Sequence, residues 1–251
     1  MSNAQWPEGV GRVLLDSVDS TNAEAFRRAP HFSGPCWILA GEQTAGRGRR
    51  ARAWSSPRGN FYGTLVLQPK EAPQVVALRS FVAALALRDA LDAVTGGGAE
   101  LGLKWPNDVL MNGGKVAGIL LESYGAGNGI QALAIGIGVN LIAHPDPTMI
   151  EGAAVPPVSV LSSTGFRVPP EAFLEALAPA YSHWENMFLT EGFLPLRTAW
   201  LSHAARLGEK IIARTGNETR EGIFETVDAE GNLVLRTGMT TLAIPAAEVF
   251  F

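Results

Sequence analysis

The sequence holds a single cysteine, Cys36, so no intramolecular disulfide can form and a reducing compartment is expected. His31, His144, His183 and His203 are scattered, and none stands at zinc-ligand spacing from another or from Cys36, so no resident metal is expected. Basic residues do not outnumber acidic ones. With 20 Lys and Arg against 24 Asp and Glu, the formal charge is −4, the wrong sign for a sequence-independent hold on DNA or RNA. No apolar run approaches the ~18 residues that a membrane helix needs. Even 81–87 stops at Arg88 and Asp89. The N-terminus has no charged-then-apolar order of a secretion signal. A soluble, cytoplasmic protein that engages neither nucleic acid nor membrane is the expectation. Two nucleotide signatures are also missing. There is no GxxxxGK[ST] loop, and Gly136-Ile137-Gly138-Val139-Asn140 lacks the third glycine and the strand-turn-helix setting of a dinucleotide fingerprint.

What is present suffices for one sizeable core and a small satellite domain: 251 residues, 47% of them hydrophobic. Short apolar runs predict strands at 13–15, 37–40, 61–67, 101–105, 109–111, 116–122 and within 130–141. Asn112-Gly113-Gly114 and Gly125-Ala126-Gly127-Asn128-Gly129 read as turns, which makes the middle of the chain an antiparallel meander. Thr21 is expected to cap a first helix, with Glu24 reaching back and the helix ending near Arg28, before Pro30. Helical spacing of Val75, Leu78, Val82, Leu85 and Ala86 predicts one long core helix over 75–94, stopped at Gly96. Further helices are expected at 171–188 and 193–204. After Gly208 the texture turns to short β segments at 210–214, 221–227, 232–236 and 241–244, a small barrel-like domain.

The chemistry concentrates in a few stretches. Arg47, Arg49, Arg50 and Arg52, interleaved with Gly46 and Gly48, form a strand-to-strand loop whose backbone can approach a ligand while guanidinium forks reach phosphate or carboxylate oxygens. A bare arginine run is as readily a solvated face or a docking surface. If the loop serves a polyanion such as ATP, it is expected to be mobile when empty and to fold over its ligand, excluding water. In Lys104-Trp105-Pro106-Asn107-Asp108, Trp105 offers an apolar plate and Asn107 paired donor and acceptor groups. Lys115 stands at a hairpin junction before an apolar strand in which Gly118 permits close approach. Such a lysine is usually just solvated; pointed into a pocket, it suits an α-phosphate.

Taken in order, Asp19-Ser20-Thr21-Asn22, then Gln43-Thr44-Ala45-Gly46-Arg47-Gly48-Arg49-Arg50 with Trp54, then KWPND, KVAGIL and GIGVN, the chain resembles the biotin protein ligases. The resemblance runs from about Leu14 to Leu141. The tail after Gly208 is similar to the SH3-like domain that closes this family's chains, while 142–207 matches only in helical texture. It implies an α+β fold: a mixed, largely antiparallel sheet with packed helices over 1–207, plus a C-terminal SH3-like β-barrel over 208–251. It also implies an enzyme that activates biotin with ATP as biotinyl-AMP and passes it to a lysine of a biotin carboxyl carrier domain. Mg2+ would enter with ATP.

By the same resemblance, Ser20, Thr21 and Gln43 hydrogen-bond the polar head of biotin, Asn22 supports them, and Gly118 lines the bicyclic body. Gly46, Arg47, Gly48 and Arg49 wrap the carboxylate and phosphates, Trp54 packs on the ordered loop or the adenine, and Asn107 and Asn140 position nucleotide and metal. Lys115, with Arg47 and Arg49, carries the catalytic charge. Ala51 departs from the family's usual glycine and is expected to stiffen the loop. Fewer than two dozen residues precede Thr21, which suits the stand-alone form rather than one with a winged helix-turn-helix. Pairing into a homodimer through a sheet edge is a family habit. The alternatives are a lipoate or octanoate ligase and a biotin sensor without turnover.

Overall fold

The computed structural model describes residues 5–125, 129–146, 155–215 and 218–251. Its larger sheet contains β1 (Gly11–Leu15), β2 (Cys36–Ala40), β3 (Phe61–Leu67), β4 (Leu101–Lys104), β5 (Asp108–Met111), β6 (Gly114–Tyr124) and β7 (Ala132–Val139). The order is β1-β2-β3-β7-β6-β5-β4, with β1 and β2 parallel and every other pair antiparallel. The parallel pair needs a crossover, and α1 (Thr21–Arg28) supplies it. From β4 to β7 the chain is the expected meander. Its β5–β6 hairpin turns on Asn112 and Gly113, both at positive φ (50° and 80°), the backbone that an Asn-Gly pair accepts most readily. The turn expected over Gly125 to Gly129 includes Ala126 to Asn128, which lie outside the described residues.

Alternation along the strands splits the core between two faces. Ile38 and Val66 point to α1, where they pack with Ala25, Ala132 and Ala134. Trp37, Leu39, Phe61, Leu65, Ile135 and Ile137 point to the opposite face, where α3 (Arg79–Thr95) and α5 (Pro170–Glu191) cover the sheet and α6 (Phe193–Ser202) packs on both helices. Edge-on aromatic pairs fix that layer, Trp37 with Tyr181 at 6.1 Å and Phe61 with Phe173 at 5.1 Å between ring centres.

Two helical expectations are corrected. The long helix over 75–94 is broken into α2 (Pro73–Ala77) and α3 at Leu78. There the Leu78 and Phe81 amides bond three residues back, to Val75 and Leu78, replacing the α ladder by tight turns. Gly96, at φ 64°, ends α3 as expected. At α1 the N-cap is Ser20, not Thr21, and its side chain makes no capping bond. Glu24 does not reach back because its carboxylate is taken by Arg27 and Arg28. A short helix, α4 (Val160–Thr164), closed by a reciprocal Ser159–Ser162 capping box, was not foreseen.

The C-terminal segment is a second, five-stranded antiparallel sheet: β8 (Lys210–Arg214), β9 (Thr219–Val227), β10 (Leu233–Thr237), β11 (Thr240–Ile244) and β12 (Glu248–Phe250), in the order β11-β10-β9-β8-β12. Its interior residues Phe224, Leu233 and Leu235 belong to the same core as α3 and α6. Trp105 is drawn into this junction. It is 3% exposed and its indole N–H donates to the Gly231 carbonyl at 3.1 Å, so it is a packing residue rather than an open plate for a ligand. Among the described residues no helix is long and apolar enough to cross a membrane.

Candidate active site

A cleft of about 820 Å³ lies over β6 and β7, between the head of α1, the arginine loop and β12. Its floor is built from glycines. Gly118 and Gly138 face each other across β6 and β7. A Cβ on Gly138 would stand 2.6 Å from the Trp54 indole nitrogen, and one on Gly118 would stand 3.2 Å from the Trp54 ring. A Cβ on Gly136 would meet the Asn22 amide oxygen at 2.4 Å. The GIGVN run is therefore a bare stretch of sheet on which Trp54 and Asn22 lie flat, and no side chain larger than hydrogen fits beneath them.

At the inner end Ser20, Thr21 and Asn22 are all buried. Asp19 fixes the entry: its carboxylate accepts the Ser20 amide at 2.8 Å and a two-pronged contact from Arg27, which hold its pKa down to about 2. The Thr21 amide donates to Gln43 Oε1 at 2.9 Å, and Gln43 Nε2 donates to Ser56 Oγ at 3.1 Å. Thr21 Oγ1 stands 3.1 Å from Gln43 Oε1 and 2.8 Å from Thr64 Oγ1. Asn22 gives its amide hydrogens to the Leu120 carbonyl (3.3 Å) and to Glu122 (2.9 Å), and its oxygen faces Thr64 Oγ1 at 2.7 Å.

The arginine loop has a defined shape. Trp54 N–H bonds back to the Gly46 carbonyl at 2.9 Å and Gly48 N–H to the Arg52 carbonyl at 2.8 Å, and Arg50 takes the left-handed conformation (φ 55°) at the tip. A Cβ on Gly46 would fall 2.6 Å from the Trp54 carbonyl oxygen, so the two passes can touch only at glycine. The four guanidinium groups diverge. Arg47 reaches Glu122 at 3.4 Å and Arg49 reaches Asn107 Oδ1 at 3.2 Å, whereas Arg50 and Arg52 both turn to Glu248 on β12. Burial pushes the Arg49 guanidinium below its usual pKa, against the pull of Asp108. Nothing of the Ala51 side chain lies within what the structure describes.

Opposite the loop, Lys115 Nζ lies 2.7 Å from Asp108 and 5.5 Å from the centre of the Trp54 ring. Lys104, almost fully buried, approaches the other Asp108 oxygen at 3.8 Å, and burial depresses its pKa. Three cations, Arg49, Lys104 and Lys115, thus surround one carboxylate on one wall of the cleft, an arrangement suited to a polyanion. Asn107 is tied to β6, its Nδ2 donating to the Ile119 carbonyl at 2.8 Å. Asn140 donates to the Val158 carbonyl at 3.0 Å and so holds the segment that closes the cleft beside Val155 and Pro157.

With the exception of Trp105, the residues expected to bind or catalyse line one cleft: Ser20 to Asn22, Gln43, Gly46 to Arg49, Trp54, Asn107, Lys115, Gly118 and Asn140. Lys104, Asp108 and Glu248 line it as well; the first two belong to the same KWPND stretch as Asn107, but the sequence alone does not mark them as site residues. Thr64 and Glu122, which stand behind the wall, had no signal beyond their place on predicted strands.

Comparison with known proteins bears on these positions. Residues 14–140 match the model of the biotin/lipoate A/B protein ligase family, and residues 207–251 match that of the biotin protein ligase C-terminal domain. The chain is 58% identical over 238 residues to a biotin–[acetyl-CoA-carboxylase] ligase of Paracoccus denitrificans, covering 95% of this chain and 99% of that one. It is 31% identical to the bifunctional ligase/repressor BirA of Bacillus subtilis, over 94% of this chain and 71% of the relative. Among solved structures it superposes on the biotin protein ligase of Aquifex aeolicus in complex with biotin and ATP, with a TM-score of 0.81 at 27% identity, covering 95% and 97% of the two chains.

Proposed function

The chain belongs to the biotin/lipoate A/B protein ligase family, and from that premise we propose that it is a biotin protein ligase. It condenses biotin with ATP to biotinyl-AMP and transfers the biotinyl group to a lysine of a biotin carboxyl carrier domain. The observation that carries this reading is the polarity of this cleft. Hydrogen-bonding Thr21 and Gln43 stand at its inner end, the cations Arg49, Lys104 and Lys115 on its wall, and a glycine floor joins them.

Biotin lies with its ring system among Ser20, Thr21 and Gln43, its body over Gly118 and its carboxylate toward Gly46 to Arg49 and Lys115. A carboxylate oxygen attacks the α-phosphorus of ATP, the new O–P bond forms, and pyrophosphate leaves with its magnesium, which belongs to the substrate. Lys115 and Arg49 stabilise the charge that builds on the α-phosphate, and Arg47 that on the carboxylate. Trp54, Asn107 and Asn140 position the nucleotide. In the second step the carrier amine attacks the acyl carbonyl, the amide forms and AMP departs, its carbon–oxygen bond broken and the amine's proton passing to solvent. Positioning and charge stabilisation suffice, without a covalent enzyme intermediate.

The chain divides functionally into a catalytic part, 1–207, and a C-terminal part, 208–251, whose β12 supplies one wall of the cleft. The reaction is placed in the cytoplasm, where Cys36 stays reduced. Of the two sheet edges, β4 is bridged at Leu103 to Ala204, which leaves β1 for pairing with a second copy.

The decisive test is biotin-dependent exchange of labelled pyrophosphate into ATP, with lipoate as the control acid. Exchange with biotin alone is expected, with a loss of about 100-fold or more in Lys115→Ala and in Arg49→Ala. Exchange with lipoate in place of biotin would transfer the protein to the lipoate branch, and tight biotin binding without exchange would leave a sensor.

A further inference from the structure

Lysine is the scarcest charged residue of this chain. Against 16 arginines the sequence has four lysines, Lys70, Lys104, Lys115 and Lys210. Lys70 and Lys210 are exposed, whereas the other two line the cleft, on the two sides of a single carboxylate. Lys115 Nζ lies 2.7 Å from Asp108 Oδ1, and Lys104 Nζ lies 3.8 Å from Asp108 Oδ2. The sheet dictates this placement. Asp108 is on β5, and the two lysines come from the strands on either side of it, β4 and β6.

Lysine and arginine are not equivalent beside an acyl phosphate. A guanidinium keeps its proton, whereas a lysine amine that loses its proton has a lone pair and attacks carbonyl carbon. In the ligase reading above, on which this inference rests, biotinyl-AMP forms against the wall that holds Lys104 and Lys115. A free amine there would form a nitrogen–carbon bond to the biotinyl carbonyl, break the bond from that carbon to the AMP oxygen and shed a proton to solvent. The biotinyl group would then be trapped on the enzyme as a dead-end amide. Lys104 is the weaker point of the two. Burial lowers its pKa and Lys115 and Arg49 push the same way, while Asp108 and Glu248 oppose them. The Phe251 ring covers its ammonium at 5.6 Å and is shared with Arg206. We propose that Asp108 protects the intermediate from the enzyme's own amines. Paired with Lys104 and Lys115, it holds both as ammonium ions, which offer charge to the phosphates and no lone pair to the acyl carbon, so that the carrier lysine is the amine that reacts.

The test maps self-acylation by mass spectrometry after cleavage at glutamate, with synthetic biotinyl-AMP supplied and neither ATP nor carrier present. Loss of the first half-reaction then cannot mask the result. Exposed Lys70 and Lys210 serve as the internal reference, because they report adenylate that has escaped into solvent. In wild type at neutral pH the cleft lysines should stay unlabelled against that reference. In Asp108→Asn the ratio of label on Lys104 to label on Lys70 and Lys210 should rise about 10-fold, the gain in free amine for each unit by which the pKa falls. Asp108→Glu should bring the ratio back toward wild type. A merely structural role would release adenylate and raise label on the exposed lysines without raising the ratio, which overturns the proposal. A pH series on wild type gives a check that does not depend on the variant folding: label should appear on Lys104 between about pH 7 and about 10. Equal label at both ends, or none on either cleft lysine at the alkaline end, overturns the proposal too. Calorimetric binding of biotinyl-AMP to wild type comes first, and its failure would overturn the functional reading instead.

Discussion

Glu248, on the last strand of the C-terminal sheet, accepts both outer nitrogens of the Arg52 guanidinium, and one of the same oxygens takes Arg50 at 3.0 Å. The arginine loop of the catalytic part, exposed at Arg50 and Arg52, is thus held by the other part of the chain, across the mouth of the cleft. Hydrogen bonding to Arg52 holds the Glu248 carboxyl below the usual glutamate range, so the contact persists from neutral pH into mild acid and is lost as pH falls further. Arg47 and Arg49, by contrast, are left facing the ligand region.

Removal of this contact should free the loop without unfolding the protein. Exposed ion pairs are worth ~0.2–1 kcal/mol each, so Glu248→Ala, which removes two, should shift the melting temperature by no more than about 8 °C. Trypsin should cut after Arg47, Arg49, Arg50 or Arg52 several-fold faster in the variant, and ATP with biotin should slow the cut in both proteins. Equal cutting rates in the absence of ligand would mean that the loop's own turn, not Glu248, holds it.

The glycine floor makes a second prediction. Gly138 has an ordinary strand conformation, so Gly138→Ala adds no backbone strain, but its Cβ would stand 2.6 Å from Trp54 Nε1. Trp54 sits on a loop and can lift, whereas the sheet cannot. The variant should therefore keep its stability to within about 1 kcal/mol of wild type and lose tenfold or more of its pyrophosphate exchange. A large fall in melting temperature with exchange intact would show that Trp54 serves packing rather than the reaction.

How far these features could be read in the sequence depended on whether the signal was local. The strands over 61–67 and 210–214 appear where their apolar runs stand, and the Asn112-Gly113 turn follows from backbone preference alone. The arginine loop, Lys115 and Asn107 were legible because their residue types are costly to place anywhere but at a site. Thr64, Glu122 and Glu248 were not, since a threonine on a strand and two glutamates are ordinary there. Their meaning arises from pairing across the sheet and between domains. The break at Leu78 escaped for a related reason: Val75, Val82 and Ala86 keep helical spacing through it. Trp105 was misassigned because the partner that buries it, Gly231, lies 126 residues away.

The last prediction concerns Asp108, the carboxylate between Lys115 and the buried Lys104. Burial lowers the Lys104 pKa and Asp108 opposes that shift. A lysine whose folded pKa lies below its unfolded value binds its proton less readily when folded. Its burial therefore costs stability at neutral pH, and the cost is relieved as pH rises through the folded pKa toward the ordinary lysine range. Asp108→Asn removes the opposing charge, so the folded pKa falls further and the cost at neutral pH grows by about 3 kcal/mol, the scale of breaking a buried pair. Melting curves between pH 6 and about 10 should show the variant well below wild type at the acid end and converging on it at the alkaline end. Adding Lys104→Met should recover most of the loss at neutral pH, since a neutral side chain of similar length needs no partner. If the double variant melts no higher than Asp108→Asn alone, Lys115 rather than Lys104 is the residue whose charge Asp108 sustains.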